Sequence, residues 1–377
     1  MEHIKNKKLA IYPYNPDFAT VLRRSDIINA SNEIFAIAPA GLGVQGKDSG
    51  EIDGGSSVGI NIVDDFDSCL EEVDSIIFLD YESEKNDTFY NSLYKSARRK
   101  KDIILLAKID EKVDEEIQTI SNQNSSSYLK YLPSLVVPYS KDFAGEVIPD
   151  KIQKIDVPVI MIIGLSEYTN KFDVNLMLYR ELQKMEYKVS SIGSRSYCEF
   201  FGFHSFPEFM VDDKISGERK VLLFNNFLKS IESREKPDVI LLTIPGGVLP
   251  VNNKITNGYG ILAYEVSQAV KPDITVLCTS YEDHKADFFP RIFLMLKHRF
   301  EFEPDLVNIS NIKILWGDTR FRENISYLRV SSNKVDEVVD KLKDAMEIPV
   351  FNSLNDHSPQ QITNCIINKL EDNLYVV

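Results

Sequence analysis

Short, uniformly apolar runs alternate with segments of helical periodicity along the first third of the chain. Lys8–Tyr12 (KLAIY), Ile34–Ala38 (IFAIA), Ser75–Asp80 (SIIFLD) and Asp102–Ala107 (DIILLA) have strand length and little polarity. Between and after them, Asp17–Ala30, Phe66–Val73, Asp87–Lys100 and Asp110–Asn122 read as helices. A strand apolar on both faces must be covered on both faces, so the alternation predicts a parallel sheet between helical layers.

The pattern lapses at Ser121–Ser127 (SNQNSSS), a polar stretch that reads as a loop or hinge. From there to about Lys154, with prolines at 133, 138 and 149, we expect the connection between domains. The alternation resumes with strands at Val157–Ile163, Tyr187–Ile192, Val239–Thr243 and Ile274–Cys278. Helices are expected at Lys171–Met185, Arg219–Ser233, Gly260–Val270, Asp287–Phe302, Asn333–Met346 and Ser358–Leu370. In the first of these, Val174, Leu178, Leu182 and Met185 form an apolar stripe. No internal repeat is visible. The fold class is α/β: two parallel-sheet domains, over residues 1–150 and 151–377.

Composition narrows the function classes. A length of 377 residues suits two or three domains. The net charge of −14 opposes sequence-independent nucleic-acid binding, which needs basic residues to neutralise phosphates. Cys69, Cys198, Cys278 and Cys365 are scattered, without metal-ligand spacing, so we expect no metal site and reduced thiols in a cytoplasmic protein. The start, MEHIKNKKLAIYPYNP, lacks the apolar core of a signal peptide, and the apolar runs fall short of the ~18 residues of a membrane span. No membrane partner is expected.

Two segments compete as phosphate loops. GLGVQGKDS, Gly41–Ser49, matches both G-x-G-x-x-G and G-x-x-x-x-G-K. A phosphate loop works because it opens a helix whose free N–H groups face the anion. Here the sequel is GEIDGGSSVG, poor in helix formers, and Asp48 brings negative charge where phosphate belongs. A turn-rich loop is the simpler reading, with a small-ligand loop as the alternative. GLSEYTNKF, Gly164–Phe172, is the poorer string in the better context: apolar strand, loop, Lys171, amphipathic helix.

Six residues separate Gly164 from Lys171, one more than in the common Walker loop. The segment resembles the longer loop of dethiobiotin synthetase and related P-loop proteins, whose pattern is glycine, five residues, glycine, lysine, threonine. PDVILLTIPGGVLPV, Pro237–Val251, resembles the same family's strand ending in Glu-Gly-x-Gly-Gly. Gly246, Gly247 and Pro250 are retained, Thr243 stands at the glutamate position and Ile244 at the first glycine. The resemblance implies an N-terminal Rossmann-like domain followed by a C-terminal degenerate P-loop NTPase-like domain, a degenerate Walker A motif, and ATP or GTP as ligand.

The departures bear on chemistry. Asn170 replaces the second glycine, and asparagine best tolerates the left-handed backbone required there. Phe172 replaces the threonine whose hydroxyl would bind Mg²⁺, and Thr243 replaces a metal-directed carboxylate. Phosphoryl transfer depends on that metal, so ordinary Mg²⁺-dependent turnover is in doubt and no catalytic residue is assigned. Gly164, Ser166, Thr169, Asn170, Lys171, Gly246 and Gly247 remain candidates for nucleotide binding. Arg195, after the second strand, is a further candidate cation; the family also carries a basic residue there.

Weaker candidates read as structural. Tyr197–Met210, with five phenylalanines, reads as a packing or lid segment, with an apolar ligand pocket as the alternative. Asp283–His284 reads as a helix cap, and Cys198 and Cys278 as unrelated thiols. Asp318, Arg320 and Arg322 read as a surface ion-pair cluster.

SEYTNKF, SIGSRSYCEFFGFHSFPEFM (Ser191–Met210) and TIPGGVLPVNNKITNGYG (Thr243–Gly260) together resemble a family of clostridial peptide maturation system proteins. The resemblance implies a precursor peptide or a radical-SAM maturase as partner. Three functions stay open: an accessory protein of peptide maturation that binds nucleotide or another anion; an ATP-dependent ligase-like enzyme acting on a peptide carboxylate, with Asp173 or Asp238 as replacement metal ligand; and a non-catalytic scaffold. The oligomeric state does not follow from the sequence.

Overall fold

Strands too apolar to face water define both halves of the chain. The computed structural model describes residues 4–28, 33–39, 41–80, 87–131, 151–195, 197–285, 287–355 and 359–374. It divides into two compact units, Met1–Pro133 with Ser196–Gly202, and Ser134–Arg195 with Phe203–Val377. Most of the expected domain connection, residues 132–150, lies outside the described residues, as do the ends of the helices expected to stop at Ala30 and to start at Ser358.

In the first unit, β1 (Leu9–Tyr12), β2 (Ile34–Ile37), β3 (Ile62–Val63), β4 (Ser75–Leu79), β5 (Asp102–Leu106) and β6 (Tyr128–Lys130) form one sheet. Its order is β3-β2-β1-β4-β5-β6 and its pairings are all parallel, the Rossmann arrangement. The helices are α1 (Ala19–Leu22), α2 (Phe66–Glu72), α3 (Asp87–Arg98) and α4 (Glu111–Gln123). Phe78, Phe89, Leu93 and Ile117 pack in the core between α3, α4 and the sheet. The polar stretch after α4 turns directly into edge strand β6, so Ser121–Gln123 finish a helix.

The helix expected over Asp17–Ala30 is broken. A 3-10 turn (Pro16–Phe18), the single turn of α1 and a second 3-10 turn (Ser25–Ile28) replace it. The cause is Arg23, whose side chain turns inward to donate to Gly50 O (2.7 Å) and to both carboxylate oxygens of Asp53. Both partners of this ion pair are buried.

The glycine-rich Gly41–Gly59 segment opens no helix. It wraps around Asp48 instead. The carboxylate accepts from the N–H groups of Gly50 (2.7 Å), Val58 (3.0 Å) and Gly59 (2.7 Å) and from the Ser57 hydroxyl (2.9 Å). Burial alone would raise the pKa of this carboxyl, but the four donors outweigh it and hold the group below the usual carboxylate range.

In the second unit, β7 (Val159–Gly164), β8 (Val189–Gly193), β9 (His204–Ser205), β10 (Val239–Thr243), β11 (Ile274–Thr279) and β12 (Leu306–Ile309) precede a small antiparallel pair, β13 (Ile312–Ile314) and β14 (Tyr327–Arg329). The last strand is β15 (Val350–Phe351). The main sheet runs β15-β12-β11-β7-β10-β8-β9 and is parallel throughout. The remaining helices are α5 (Lys171–Lys184), α6 (Gly217–Glu235), α7 (Ile261–Ala269), α8 (Phe288–Phe300), α9 (Trp316–Thr319), α10 (Ser332–Lys343) and α11 (Pro359–Leu374).

Successive residues of β7 serve opposite faces, as strand geometry requires. Ile160 and Ile162 meet Val174, Leu178 and Leu182 of α5 and Ile362 and Ile366 of α11. Val159, Met161 and Ile163 face the core containing Phe224 of α6, Val266 of α7 and Leu296 of α8. From β7 the chain crosses to β8, past the place later taken by β10; from β10 it crosses back to β11 on the other side of β7. That reversal leaves a crevice at the carboxyl end of β7, where ligands of open α/β sheets bind. Among the described residues, no helix is long and apolar enough to cross a membrane.

Arg23→Met would strand a buried carboxylate at Asp53. We expect a loss of ~3–5 kcal/mol from the first unit, read as a lower first transition in calorimetric melting.

Candidate anion-binding loop at the carboxyl end of β7

The loops after β7 and β10 are packed too tightly for side chains at Gly164 and Gly247. A Cβ on Gly164 would lie 2.5 Å from Thr169 Oγ1, 2.7 Å from Ser166 O and 3.1 Å from Lys171 Nζ. A Cβ on Gly247 would lie 2.6 Å from Ser166 Cα and 2.8 Å from Leu165 O. The loop after β10 runs against the loop after β7: Val248 N donates to Gly164 O (2.9 Å) and Leu249 N to Leu165 O (3.2 Å). Asn257 Nδ2 then ties Leu249 O at 2.5 Å.

Within the loop, Ser166 Oγ donates to Glu167 O (3.1 Å), and Thr169 Oγ1 donates to Ser166 O (3.3 Å). Glu167 is exposed, so its charge points away from the loop interior. Asn170 sits at φ 56°, ψ 28°, in the left-handed region that its glycine counterpart would favour. It precedes α5 without capping it by its side chain. Asn170 Nδ2 donates instead to Asn311 Oδ1 (2.9 Å), and Asn311 Nδ2 donates to Val330 O (3.0 Å).

Lys171 is the first residue of α5 and is only 8% exposed. Its ammonium donates to Gly246 O, on the facing loop. Burial lowers its pKa to about 8; Cys278 and Glu167 oppose the fall, and the Arg195 charge adds to it. The Arg195 guanidinium lies 6.0 Å from the ring centroid of the buried Phe172. Gly164, Ser166, Thr169, Asn170, Lys171, Arg195, Gly246 and Gly247 thus gather around one loop, with two cations at its helix end.

The metal-directed positions have other work. Thr243 Oγ1 accepts from Asn175 Nδ2 (2.8 Å), and Asn175 Oδ1 accepts from Ser191 Oγ (2.8 Å). All three side chains are buried. This network ties α5 to β10 and β8. Asp238 cannot replace the missing metal ligand. It immediately precedes β10, at the end remote from Thr243, and its carboxylate accepts from Lys188 N (2.7 Å). Asp173, in the first turn of α5, is half-buried. Among the described residues, no group of three or more His, Cys, Asp or Glu side chains is placed to hold a metal.

Other sequence candidates fall into packing. Tyr197 and Phe200 join the first unit, 6.2 Å from Phe18 and 5.4 Å from Tyr131 between ring centroids. Phe203 and Phe206 join the second, against Tyr179 (4.5 Å) and Phe224 (5.4 Å). The Tyr197–Met210 stretch is therefore divided, and Cys198 and Cys278 belong to different units. His284 does not cap α8; Asp287 stands at that position. The imidazole stacks on Phe288 at 4.7 Å and bonds Ser280 O at 3.0 Å. Burial pushes its pKa down. Sequence reasoning missed Asn311, Asn257, Asn175 and Ser191, whose asparagines and serine carry no local signal and matter only through partners far along the chain. It also missed Cys278 as a neighbour of Lys171. Burial pushes that thiol up to about 12.

The pH dependence has a definite sign. Below about pH 8, Lys171 is charged in folded and unfolded chains alike, and the full cost of burying the charge is present. Between there and the ordinary value of 10.5, the unfolded chain holds the extra proton, so stability rises with pH. Urea unfolding of wild type and Lys171→Met at about pH 7 and about pH 10 isolates this group. Wild-type stability relative to the variant is expected to increase toward the higher pH.

No protein-family model and no curated protein matches the chain. Among solved structures, a DUF1611 family protein from Anabaena variabilis aligns with 97% of this chain and 100% of its own, at 9% identity and a TM-score of 0.57. A nucleotide-binding protein in complex with ADP from Archaeoglobus fulgidus aligns with 57% of this chain and 88% of its own, at 14% identity and a TM-score of 0.31. An apo GTPase from Pyrococcus abyssi covers 57% of this chain and 96% of its own, at 14% identity and 0.30. The last two likenesses are too loose to bear on function. In fold, the chain is similar to the DUF1611 family protein over nearly its whole length.

Proposed function

We propose that this protein binds a nucleotide, ATP or GTP, or a comparable anion at Gly164–Lys171 without ordinary Mg²⁺-dependent turnover. The observation that carries the reading is Lys171. A nearly buried ammonium stands where the loop meets α5, at the switch point of the sheet, and its hydrogen-bond partner is one peptide carbonyl. An anion offers that ammonium a far stronger partner than a carbonyl does. The first turn of α5 and Arg195 add positive potential on the same side. Phe172 has no oxygen to offer a metal, and the Thr243 hydroxyl is engaged by Asn175.

Three segments resembling clostridial peptide maturation proteins support placing this binding in an accessory role beside a radical-SAM maturase or its precursor peptide. The same carbonyl at Lys171 favours a second reading, a scaffold whose loop stays closed. Nucleotide-independent capture of a peptide or maturase would single out the scaffold.

Calorimetry with ATP and GTP, each with and without Mg²⁺, tests the proposal. Saturable binding with little Mg²⁺ dependence is expected. Lys171→Met should weaken it at least about tenfold, or ~1.4 kcal/mol. Affinity in the wild type should fall as pH rises through about 8, where Lys171 loses its proton. Silence at millimolar nucleotide in both proteins would sink the proposal.

A further inference from the structure

The hairpin after β12 holds a cleft that the anion loop does not use. Residues between Leu315 and Tyr327 line an open surface cleft of about 430 Å³. Its apolar side is Leu315, Ile325 and Tyr327. Ile325 belongs to a small core with Ile255 and Ile314, and Tyr168 and Tyr327 pack against that core. The rings of Tyr168 and Tyr327 lie 4.8 Å apart, so a residue of the loop after β7 packs against one wall of the cleft.

The polar side is Asp318, Arg322 and Glu323, all exposed. The sequence led us to expect Asp318, Arg320 and Arg322 in a surface ion-pair cluster. Among the described residues, none of the three takes part in an ion pair. Charges of both signs therefore line one cavity without neutralising one another. That arrangement is the complement of a ligand that itself carries both signs. A polyphosphate does not fit this lining, because two carboxylates stand against one guanidinium.

We infer that this cavity binds a zwitterion with an apolar or aromatic side group, either a free amino acid or a short peptide. The Arg322 guanidinium takes the carboxylate in a two-pronged bond, which its planar fork suits. Asp318 and Glu323 take the ammonium. Leu315, Ile325 and Tyr327 take the side group. The volume lies within the range of ~300–1,000 Å³ usual for small-ligand sites. The inference goes beyond the anion loop and stands whichever anion that loop holds.

The test is calorimetry on the full chain without nucleotide, using phenylalanine, the dipeptide Phe-Ala, and its N-acetylated and C-amidated forms. Saturable binding of phenylalanine or the dipeptide is expected, and the tighter of the two identifies the source. Amidation should weaken dipeptide binding about tenfold or more. Arg322→Met should impose a similar loss on the free dipeptide and abolish the difference between acid and amide. Asp318→Asn should shrink the difference between free and acetylated forms. The inference is overturned if no probe saturates at millimolar concentration, if binding ignores amidation or acetylation, or if acid and amide still differ in Arg322→Met. Because nucleotide is absent throughout, a failed nucleotide titration leaves this result standing.

Discussion

An ammonium held almost out of water, against a single peptide carbonyl, organises the carboxyl end of the second sheet. Lys171 can reach Gly246 O because Gly164 and Gly247 let two loops approach to backbone contact. The price of that approach is a charge buried in a poorly compensating place, which appears as the depressed pKa of Lys171. The surrounding structure, from the Asn170–Asn311 bond to the Asn257–Leu249 bond, holds the two loops so that this awkward pairing persists.

At the same end of the sheet, the two positions that the sequence resemblance aligns with metal-directed groups take part in packing and hydrogen bonding. In a metal-using P-loop, a hydroxyl after the lysine and a carboxylate at the end of the neighbouring strand serve one ion. Here a phenyl ring lies beneath Arg195, and a threonine closes a chain of side-chain hydrogen bonds with Asn175 and Ser191. Each substitution makes sense beside the other. A hydroxyl bonded to a buried amide needs no cation, and a ring that supports a guanidinium keeps positive charge at the loop without one.

Much of the fold was legible because its strands are apolar on both faces. Val239–Thr243 has the same bounds in sequence and structure, and Lys171 begins its helix where the pattern placed it. Short edges were not legible: β3, β9 and β15 have two residues each, too few to display a period. The helix expected from Asp17 failed because propensity cannot anticipate an arginine drawn inward by a carboxylate 30 positions away. The loop around Lys171 was legible from its context. Its supports were not, because Asn175 meets Thr243 across 68 positions and Asn170 meets Asn311 across 141.

The Asp48 loop and the Lys171 loop share a logic of tethered ligands. One set of backbone donors already holds a carboxylate from its own chain, and one ammonium already holds a carbonyl from its own chain. A tethered partner acts at a high effective concentration, so any diffusing molecule must displace it. For the first loop the resident is charged and multiply bonded, and a phosphate offers little that it lacks. For the second the resident is neutral and singly bonded. The two loops thus differ in how strong an internal competitor a diffusing anion would meet, a difference that the match of each string to a motif does not register.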